Sequence, residues 1–201
     1  MSFPDFNASD AHIQWQRFCD LSWYHDDLGV WLDISRMHVN ATDLQQLQPR
    51  MDKAFAAMQE LEAGAIANPD EQRQVGHYWL RTPELAPSSE LQQHISREID
   101  LIAAFGRDVI NGTIKAPNGE AFTDVLWIGI GGSGLGPALM IKALQNPGEG
   151  LPFHFFDNVD PNGMSNVLAG LEGRLDRTLV VTVSKSGGTP EPHLGMEQAR
   201  H

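Results

Sequence analysis

Two short loops rich in glycine and hydroxyl side chains carry the chemistry that this sequence suggests. The first spans residues 129–136 (GIGGSGLG) and the second spans residues 184–189 (SKSGGT), and each follows an apolar stretch of strand length. A glycine lets the backbone come close to a ligand because it has no Cβ. Where a helix starts at such a loop, its free N–H groups and partial positive charge favour an anion, most often a phosphate.

The second loop adds side chains that can hold a phosphate. Ser184, Ser186 and Thr189 carry hydroxyl groups and Lys185 carries an ammonium group, and all four can donate to phosphate oxygens. A lysine is more often a solvated surface residue, but the place of Lys185 between two serines favours a ligand role. In an open α/β sheet, ligands bind at the carboxyl ends of the strands. We therefore expect the two loops to close on one phosphate from both sides.

The elements that must position these loops follow one another as strand, helix, strand and helix along the second half of the chain. This alternation predicts right-handed crossovers and a parallel, doubly wound sheet, so the expected fold class is α/β. The predicted strands are 125–130, 153–157 and 178–183, and the predicted helices are 137–145, 160–171 and the segment from residue 190 onward. A Pro-Gly turn is expected at 147–148.

A mainly helical region with one short strand is predicted ahead of the sheet. Pro49 is placed in the first turn of a helix, where its missing N–H costs nothing. Ser89 with Gln92 is read as a capping box at the start of a later helix. The strand is expected at 31–34 and the helices over 44–61, 71–81 and 91–109, where apolar residues recur at helical spacing.

A turn-rich linker over 115–119 (KAPNG) marks the expected domain boundary. The predicted domains are residues 1–118 and residues 119–201. The helix from residue 190 has no Gly or Asn stop signal, and the last strand is very apolar with no visible covering element. We therefore expect the sequence to be part of a longer protein.

Composition and charge narrow the classes of function. With 201 residues, 41% of them hydrophobic and 20% charged, the chain has the composition of a soluble globular protein. Its net charge of −12 argues against a nucleic-acid partner and opposes an anion at long range, so a phosphate site must rely on local donors. The single cysteine, Cys19, suits a reducing compartment such as the cytoplasm. No signal peptide, membrane span or metal-site spacing is visible, so no membrane partner, metal or cofactor is expected.

Other interpretations of the same residues stay open. Gly129, Gly131 and Gly134 satisfy G-x-G-x-x-G, and Asp157 ends the next strand, where a ribose-binding acid lies in a dinucleotide-binding Rossmann domain. That motif is weak alone, and such a domain needs neither Ser133 nor the second loop. A plainer alternative is that the glycines only form tight turns, which two similarly placed loops disfavour. Ser133 does not stand in G-x-S-x-G, which argues against a hydrolase triad.

The loops resemble signature segments of the glucose-6-phosphate isomerase family, which has the sugar-isomerase (SIS) fold. Residues 129–136 are similar to the family's first signature, and residues 184–191 (SKSGGTPE) to its second phosphate loop. Residues 158–160 (NVD) and the stretch 68–81 also resemble family segments. The resemblance covers about residue 30 to the end and is closest to the cyanobacterial type.

The resemblance implies which residues contact the substrate, a sugar phosphate. Gly132 and Ser133 match positions that contact it. Ser186 stands where threonine is usual, which keeps the hydroxyl, and Pro192 stands where another threonine is common, which removes one. The positions that hold the phosphate are matched by Ser184, Lys185, Ser186 and Thr189.

The family interconverts glucose 6-phosphate and fructose 6-phosphate and works as a dimer. A histidine assists ring opening, a glutamate moves the proton between C1 and C2, and an arginine steadies the enediolate. In the family these residues lie downstream of the second loop, so the resemblance implies no catalytic residue in this chain and no turnover by it alone. A non-catalytic sugar-phosphate-binding module of the same fold is the alternative, although such modules usually lack a long helical region like 40–112.

Overall fold

The computed structural model describes residues 3–146 and 148–200. The chain divides into two compact units, Met1–Ile95 and Ser96–His201. The turn expected at 147–148 includes Pro147, which lies outside the described residues. None of the helices in the described ranges has both the length and the apolar character that crossing a membrane requires.

Helices and two short β-hairpins make up the first unit. The hairpins join β1 to β2 and β3 to β4, each pair antiparallel. The sequence pattern predicted one strand here, because strands of two to four residues are too short to show a period. The elements are α1 (Ala11–Leu21), β1 (Ser22–His25), β2 (Val30–Asp33), α2 (Ala41–Glu62), β3 (Ile66–Asn68), β4 (Arg73–Gln74) and α3 (Ser89–Ile110), which crosses the unit boundary.

Helix α2 begins earlier than predicted, and Pro49 lies inside it rather than in its first turn. The Asn40 side chain accepts two N–H groups of that turn, and the Asp43 carboxylate accepts the Asn40 N–H at 2.8 Å. This capping box starts the helix at Ala41. Pro49 leaves the Gln45 carbonyl without a helical donor, but Gln45 is exposed, so water can satisfy that carbonyl.

The segment 71–81, predicted as a helix, is a short strand followed by turns. Asn68 Oδ1 accepts the N–H groups of Asp70 and Glu71, each at 3.1 Å, so an Asx turn forms where the helix would have begun. Of the apolar residues of this segment, Tyr78 and Trp79 belong to a core, whereas Leu80 is exposed. That core consists of Trp79, Ala86 and Ile95, with Tyr78 and Leu91 packed against it.

Helix α3 has the predicted apolar stripe but not the predicted cap. Ser88, rather than Ser89, accepts the Leu91 N–H through its Oγ at 3.2 Å. The Gln92 side chain donates to two carbonyl groups of the preceding turn instead of returning to the cap. The capping box expected from Ser89 and Gln92 was therefore wrong, and the side-chain cap comes from Ser88, one position earlier.

A parallel three-stranded sheet with helices makes up the second unit. The strand order is β6-β5-β7, and both pairings are parallel. The alternation of strands and helices and the α/β class are as predicted. The elements after α3 are β5 (Asp124–Ile128), α4 (Gly132–Leu144), β6 (Phe153–Phe156), α5 (Pro161–Gly170), β7 (Thr178–Thr182) and α6 (Pro190–Arg200).

The sheet of the second unit carries helices on both faces. Leu126, Ile128 and Phe156 form the core of one face and pack against residues of α5 and α6. Successive strand residues point to opposite faces, and Trp127 reaches α4 on the other face. Packing against α6 is close, since a Cβ at Gly195 would meet Ile128 Cγ2 at 2.7 Å. The sheet is therefore doubly wound, as predicted.

The turn expected at 115–119 is present. Lys115 pairs with Ala121 in an isolated antiparallel bridge, and Gly119 has a φ of +84°. The division into compact units falls inside α3. Compactness and independent folding are different properties, so the domains 1–118 and 119–201 stay a prediction.

Candidate functional site

The first glycine loop forms the start of helix α4. The sequence pattern placed this start at Pro137, but α4 begins at Gly132. The N–H groups of Ser133 and Gly134 donate to the carbonyls of Ile130 and Gly131 at 3.1 Å, which closes the turn in spite of its glycines. Gly131 has φ 52° and ψ −131°, a conformation that favours glycine, and no side chain caps the helix. Among the described residues the Gly132 N–H has no such partner, and Gly132 is exposed, so this first N–H of α4 is open to a ligand.

Two glycines of this loop let it fold back against its own strand. A Cβ at Gly129 would lie 2.9 Å from the Ser133 carbonyl oxygen, and a Cβ at Gly134 would overlap the Gly129 carbonyl oxygen. A Cβ at Gly132 or Gly136 would meet nothing within 4 Å. The close packing of strand and helix thus requires glycine at positions 129 and 134. It does not require glycine at Gly132 or Gly136.

The second loop is organised by its own hydroxyl groups. Ser184 Oγ donates to Thr189 Oγ1 at 3.2 Å, and Ser186 Oγ lies 3.3 Å from the same atom. The Gly187 N–H donates to Ser184 Oγ at 3.1 Å, and the Gly188 N–H donates to Ser186 Oγ at 3.2 Å. Three hydroxyl groups are thereby gathered around one point of the loop.

The register of the sheet brings the two loops together. Strands β5 and β7 are neighbours with Ile128 opposite Thr182, and the Val183 N–H donates to the Ile128 carbonyl at 2.8 Å. Both loops therefore leave the carboxyl edge of the sheet side by side. Between them lies a surface cavity of about 290 Å³. It is lined by Ile130, Ser133, Val183, Ser184, Lys185, Ser186, Thr189 and Pro192.

The cavity gathers five of the six residues that the sequence singled out, and Gly132 is not among its lining residues. Sequence reasoning assigned no role to Ile130 and Val183, although each directly adjoins a loop residue of interest. Pro192, which lacks the hydroxyl of the family's common threonine, is buried and lines the cavity as an apolar wall.

The electrostatics of the cavity favour a small anion. Lys185 is the only charged residue that lines it, and among the described residues this lysine forms no salt bridge. Helix α4 starts immediately after Gly131, and α6 starts immediately after Thr189. Each helix N-terminus brings partial positive charge toward the cavity. These groups add positive charge beside the cavity in a chain of net charge −12, and Glu191 in the first turn of α6 adds a negative charge next to the lining residue Pro192.

The residues of the dinucleotide alternative do not share this cavity. Asp157 is exposed after β6, outside the cavity lining, and accepts the Asn158 side-chain amide at 2.9 Å. Within 3–146 and 148–200, no group of three or more His, Cys, Asp and Glu side chains is placed to hold a metal ion.

A buried ion cluster, which no sequence spacing revealed, lies where β5 begins. Asp124 is fully buried, and its carboxylate accepts Arg174 Nη1 at 2.9 and 3.1 Å. His154 Nε2 of β6 lies 2.9 Å from Asp124 Oδ1. Burial raises the pKa of Asp124, but the His154 hydrogen bond and the Arg174 charge together hold that pKa below its ordinary value. The cluster therefore ties the starts of two strands to the segment before β7.

Comparison with known proteins places the chain in a family. The sequence matches the model of the phosphoglucose isomerase family over residues 33–201. A glucose-6-phosphate isomerase of Synechococcus sp. (strain CC9605) is 98% identical over 201 residues, which is all of this chain and 38% of that relative. The corresponding enzymes of Synechococcus sp. (strain CC9902) and Prochlorococcus marinus (strain MIT 9313) are 78% and 74% identical over 200 residues, covering 38% and 36% of their lengths.

These relatives come from cyanobacteria, as the resemblance of the loops predicted. The chain spans 36–38% of the length of these curated relatives. The family match covers both glycine loops and the whole parallel sheet. The chain therefore belongs to the phosphoglucose isomerase family.

Proposed function

We propose that this chain supplies the phosphate grip of an isomerase that interconverts glucose 6-phosphate and fructose 6-phosphate in glycolysis and gluconeogenesis. The observation that carries the proposal is that Ser133 of one loop and Ser186 of the other line the same cavity. A sugar phosphate joins a dianion to a polyhydroxyl chain. The cavity matches it with hydroxyl donors, one cation and two helix N-termini.

The proposal gives the residues separate roles. The hydroxyls of Ser184 and Ser186, which each lie within 3.3 Å of the Thr189 hydroxyl, donate with it to the phosphate oxygens. Lys185 supplies the compensating charge. The first turn of α4, with the Gly132 N–H and Ser133, contacts the substrate from the other side. Hydrogen bonds to an ionised group are roughly twice as strong as neutral ones, so these donors account for selective binding of a phosphorylated sugar.

The cavity does not supply acid–base chemistry. Moving a proton between C1 and C2 requires a group of suitable pKa, usually a carboxylate or an imidazole. The residues described as lining the cavity include neither. General acid–base catalysis contributes about 10²–10⁴-fold. We therefore expect the 201-residue chain to bind glucose 6-phosphate without isomerising it at a measurable rate.

For a longer protein of the length of the relatives, we extend the proposal to a cytoplasmic homodimer with the complete isomerase activity. In that protein residues 119–201 would form the first sugar-isomerase subdomain. Coverage of only 36–38% of each relative supports a division of labour in which the remaining length carries the acid–base groups.

Calorimetric titration of the 201-residue chain tests the proposal. Glucose 6-phosphate and fructose 6-phosphate should bind, whereas glucose without phosphate should not. Inorganic phosphate should compete with both sugar phosphates. Binding of NAD in place of the sugar phosphates would favour the dinucleotide alternative. Turnover of glucose 6-phosphate by the purified chain would contradict the assigned division of labour.

A further inference from the structure

The carbonyl group of Ser133 lacks its ordinary helical partner. In an α-helix each carbonyl accepts the N–H of the residue four positions later. For Ser133 that residue is Pro137, which lies within α4 and has no N–H. The first turn of α4 therefore misses one hydrogen bond at the residue that lines the cavity.

The indole of Trp127 supplies the missing donor. Its Nε1 donates to the Ser133 carbonyl at 2.8 Å. Trp127 lies in the central strand β5, opposite Phe155 on one neighbour and Val181 on the other. Because parallel ladders hold this strand on both sides, the indole is a well-fixed reference point for the turn that it contacts.

The surroundings leave the Ser133 carbonyl few alternatives. The ring of a helical proline clashes with the carbonyl four residues earlier, which moves that carbonyl away from the helix axis. Gly129 also comes so close that a Cβ there would lie 2.9 Å from the Ser133 oxygen. Of the described groups near this carbonyl, the Trp127 indole is the one that donates to it.

We infer that Trp127 is a positioning residue for the proposed sugar-phosphate site. It replaces the N–H that Pro137 lacks, and so sets the direction in which Ser133 and the open N–H of Gly132 face the second loop. This inference rests on the proposed function, because it concerns the same cavity. Trp127 itself does not line that cavity.

A pair of substitutions and their combination test the inference in the 201-residue chain. Trp127→Phe keeps the ring and removes the donor, and should weaken glucose 6-phosphate binding by about two- to tenfold, the effect of one ordinary hydrogen bond. Pro137→Ala restores a backbone donor to Ser133 and should leave affinity unchanged. In the double variant the restored donor makes the indole N–H dispensable, so affinity should return close to that of Pro137→Ala alone.

This rescue separates positioning from a general loss of packing. Loss of ring packing would weaken binding equally with and without Pro137→Ala, whereas the inference requires the two substitutions to be non-additive. Trp79→Phe is the matched control, since the Trp79 indole also donates to a carbonyl, that of Glu62 at 2.9 Å, in the other compact unit. It should not change affinity.

A second measurement uses the unmodified chain and covers the case in which Trp127→Phe fails to fold. Indole N–H exchange is followed by NMR with 15N-labelled tryptophan. If binding and the Trp127 bond are coupled, glucose 6-phosphate must slow exchange at Trp127, and it should not do so at Trp79. The indole N–H signal of Trp127 is identified as the one whose chemical shift changes in Pro137→Ala.

The outcomes distinguish this inference from the proposed function. Absence of sugar-phosphate binding by the unmodified chain would overturn the proposed function and this inference with it. Normal binding with an unchanged Trp127→Phe affinity, or with equal losses in both backgrounds, would overturn the role of Trp127 and leave the phosphate site standing. Normal binding with no slowing at Trp127 would do the same.

Discussion

The hydroxyl of Ser184 donates to the hydroxyl of Thr189 across 3.2 Å, so the second loop is held in shape by two of the hydroxyl groups that we propose bind the phosphate. These two residues begin and end the glycine-rich turn. Because the turn is held closed by this bond, little ordering should be needed when an anion arrives, and preorganisation of this kind reduces the entropic cost of binding.

Removal of the Thr189 hydroxyl should weaken binding of glucose 6-phosphate. Thr189→Val keeps the shape and deletes a donor to an ionised phosphate, which is worth about 1.5–3 kcal/mol and corresponds to roughly ten- to hundredfold in affinity. Calorimetry measures the change. Thr113→Val is the control, since Thr113 is exposed and outside the cavity lining. An affinity equal to that of the unmodified chain would remove Thr189 from the site.

Removal of the Lys185 charge should weaken binding and also flatten its dependence on salt. Among the described residues, Lys185 is the only charged one that lines the cavity, and salt screens such exposed charges. In Lys185→Gln, affinity measured between low and high ionic strength should vary less than in the unmodified chain. Lys142→Gln changes the net charge by the same amount at a residue that lines a different cavity. It should leave the slope of affinity against ionic strength unchanged. Equal slopes in all three proteins would show that Lys185 does not meet the anion.

Two glycines of α4 should respond oppositely to alanine. Gly134→Ala places a Cβ against the Gly129 carbonyl oxygen, so the loop must shift, and both stability and sugar-phosphate affinity should fall. Gly136→Ala meets nothing within 4 Å and should stabilise the protein by about 0.5–1 kcal/mol, since alanine favours a helix interior. Chemical denaturation and calorimetry check both variants. Similar effects of the two substitutions would contradict the described packing of strand and helix.

The Asp124 cluster predicts a specific pH dependence of stability. The pKa of Asp124 is lowered in the folded protein, so its contribution is complete above the unfolded value of about 4 and is lost as pH falls through the folded value. Asp124→Asn should cost about 1.5–3 kcal/mol at pH 7, because it removes a charged acceptor from Arg174. Below about pH 4 the difference from the unmodified chain should shrink.

Urea unfolding at a series of pH values measures this difference. Asp100→Asn is a suitable control, since Asp100 is exposed on α3 and forms no salt bridge among the described residues. A stability difference for Asp124→Asn that stays constant from pH 7 to below 4 would mean that the Asp124 carboxylate is not held ionised by its neighbours.

Much of the second unit was predictable because its signals are local. Apolar strands of four or five residues, each followed by a loop and a helix start, indicate a parallel sheet wherever they recur. Parallel topology then requires both loops to leave one edge, whereas the pairing of β7 with β5 brings Ser133 and Ser186 to one cavity. The first unit was less predictable. Its hairpins are short, and the Asx turn at Asn68 competed with the helical pattern of 71–81.

Local patterns by themselves determined the fold class, the two glycine loops and the hydroxyl and ammonium groups that they carry. Tertiary structure alone decided where α4 begins, which glycines are needed for packing, and which partners meet across the sheet. The contacts of Trp127 with Ser133 and of Asp124 with Arg174 join residues whose spacing follows no helical or strand period. Such contacts depend on strand register and on helices crossing a sheet face, and neither leaves a periodic trace in the chain.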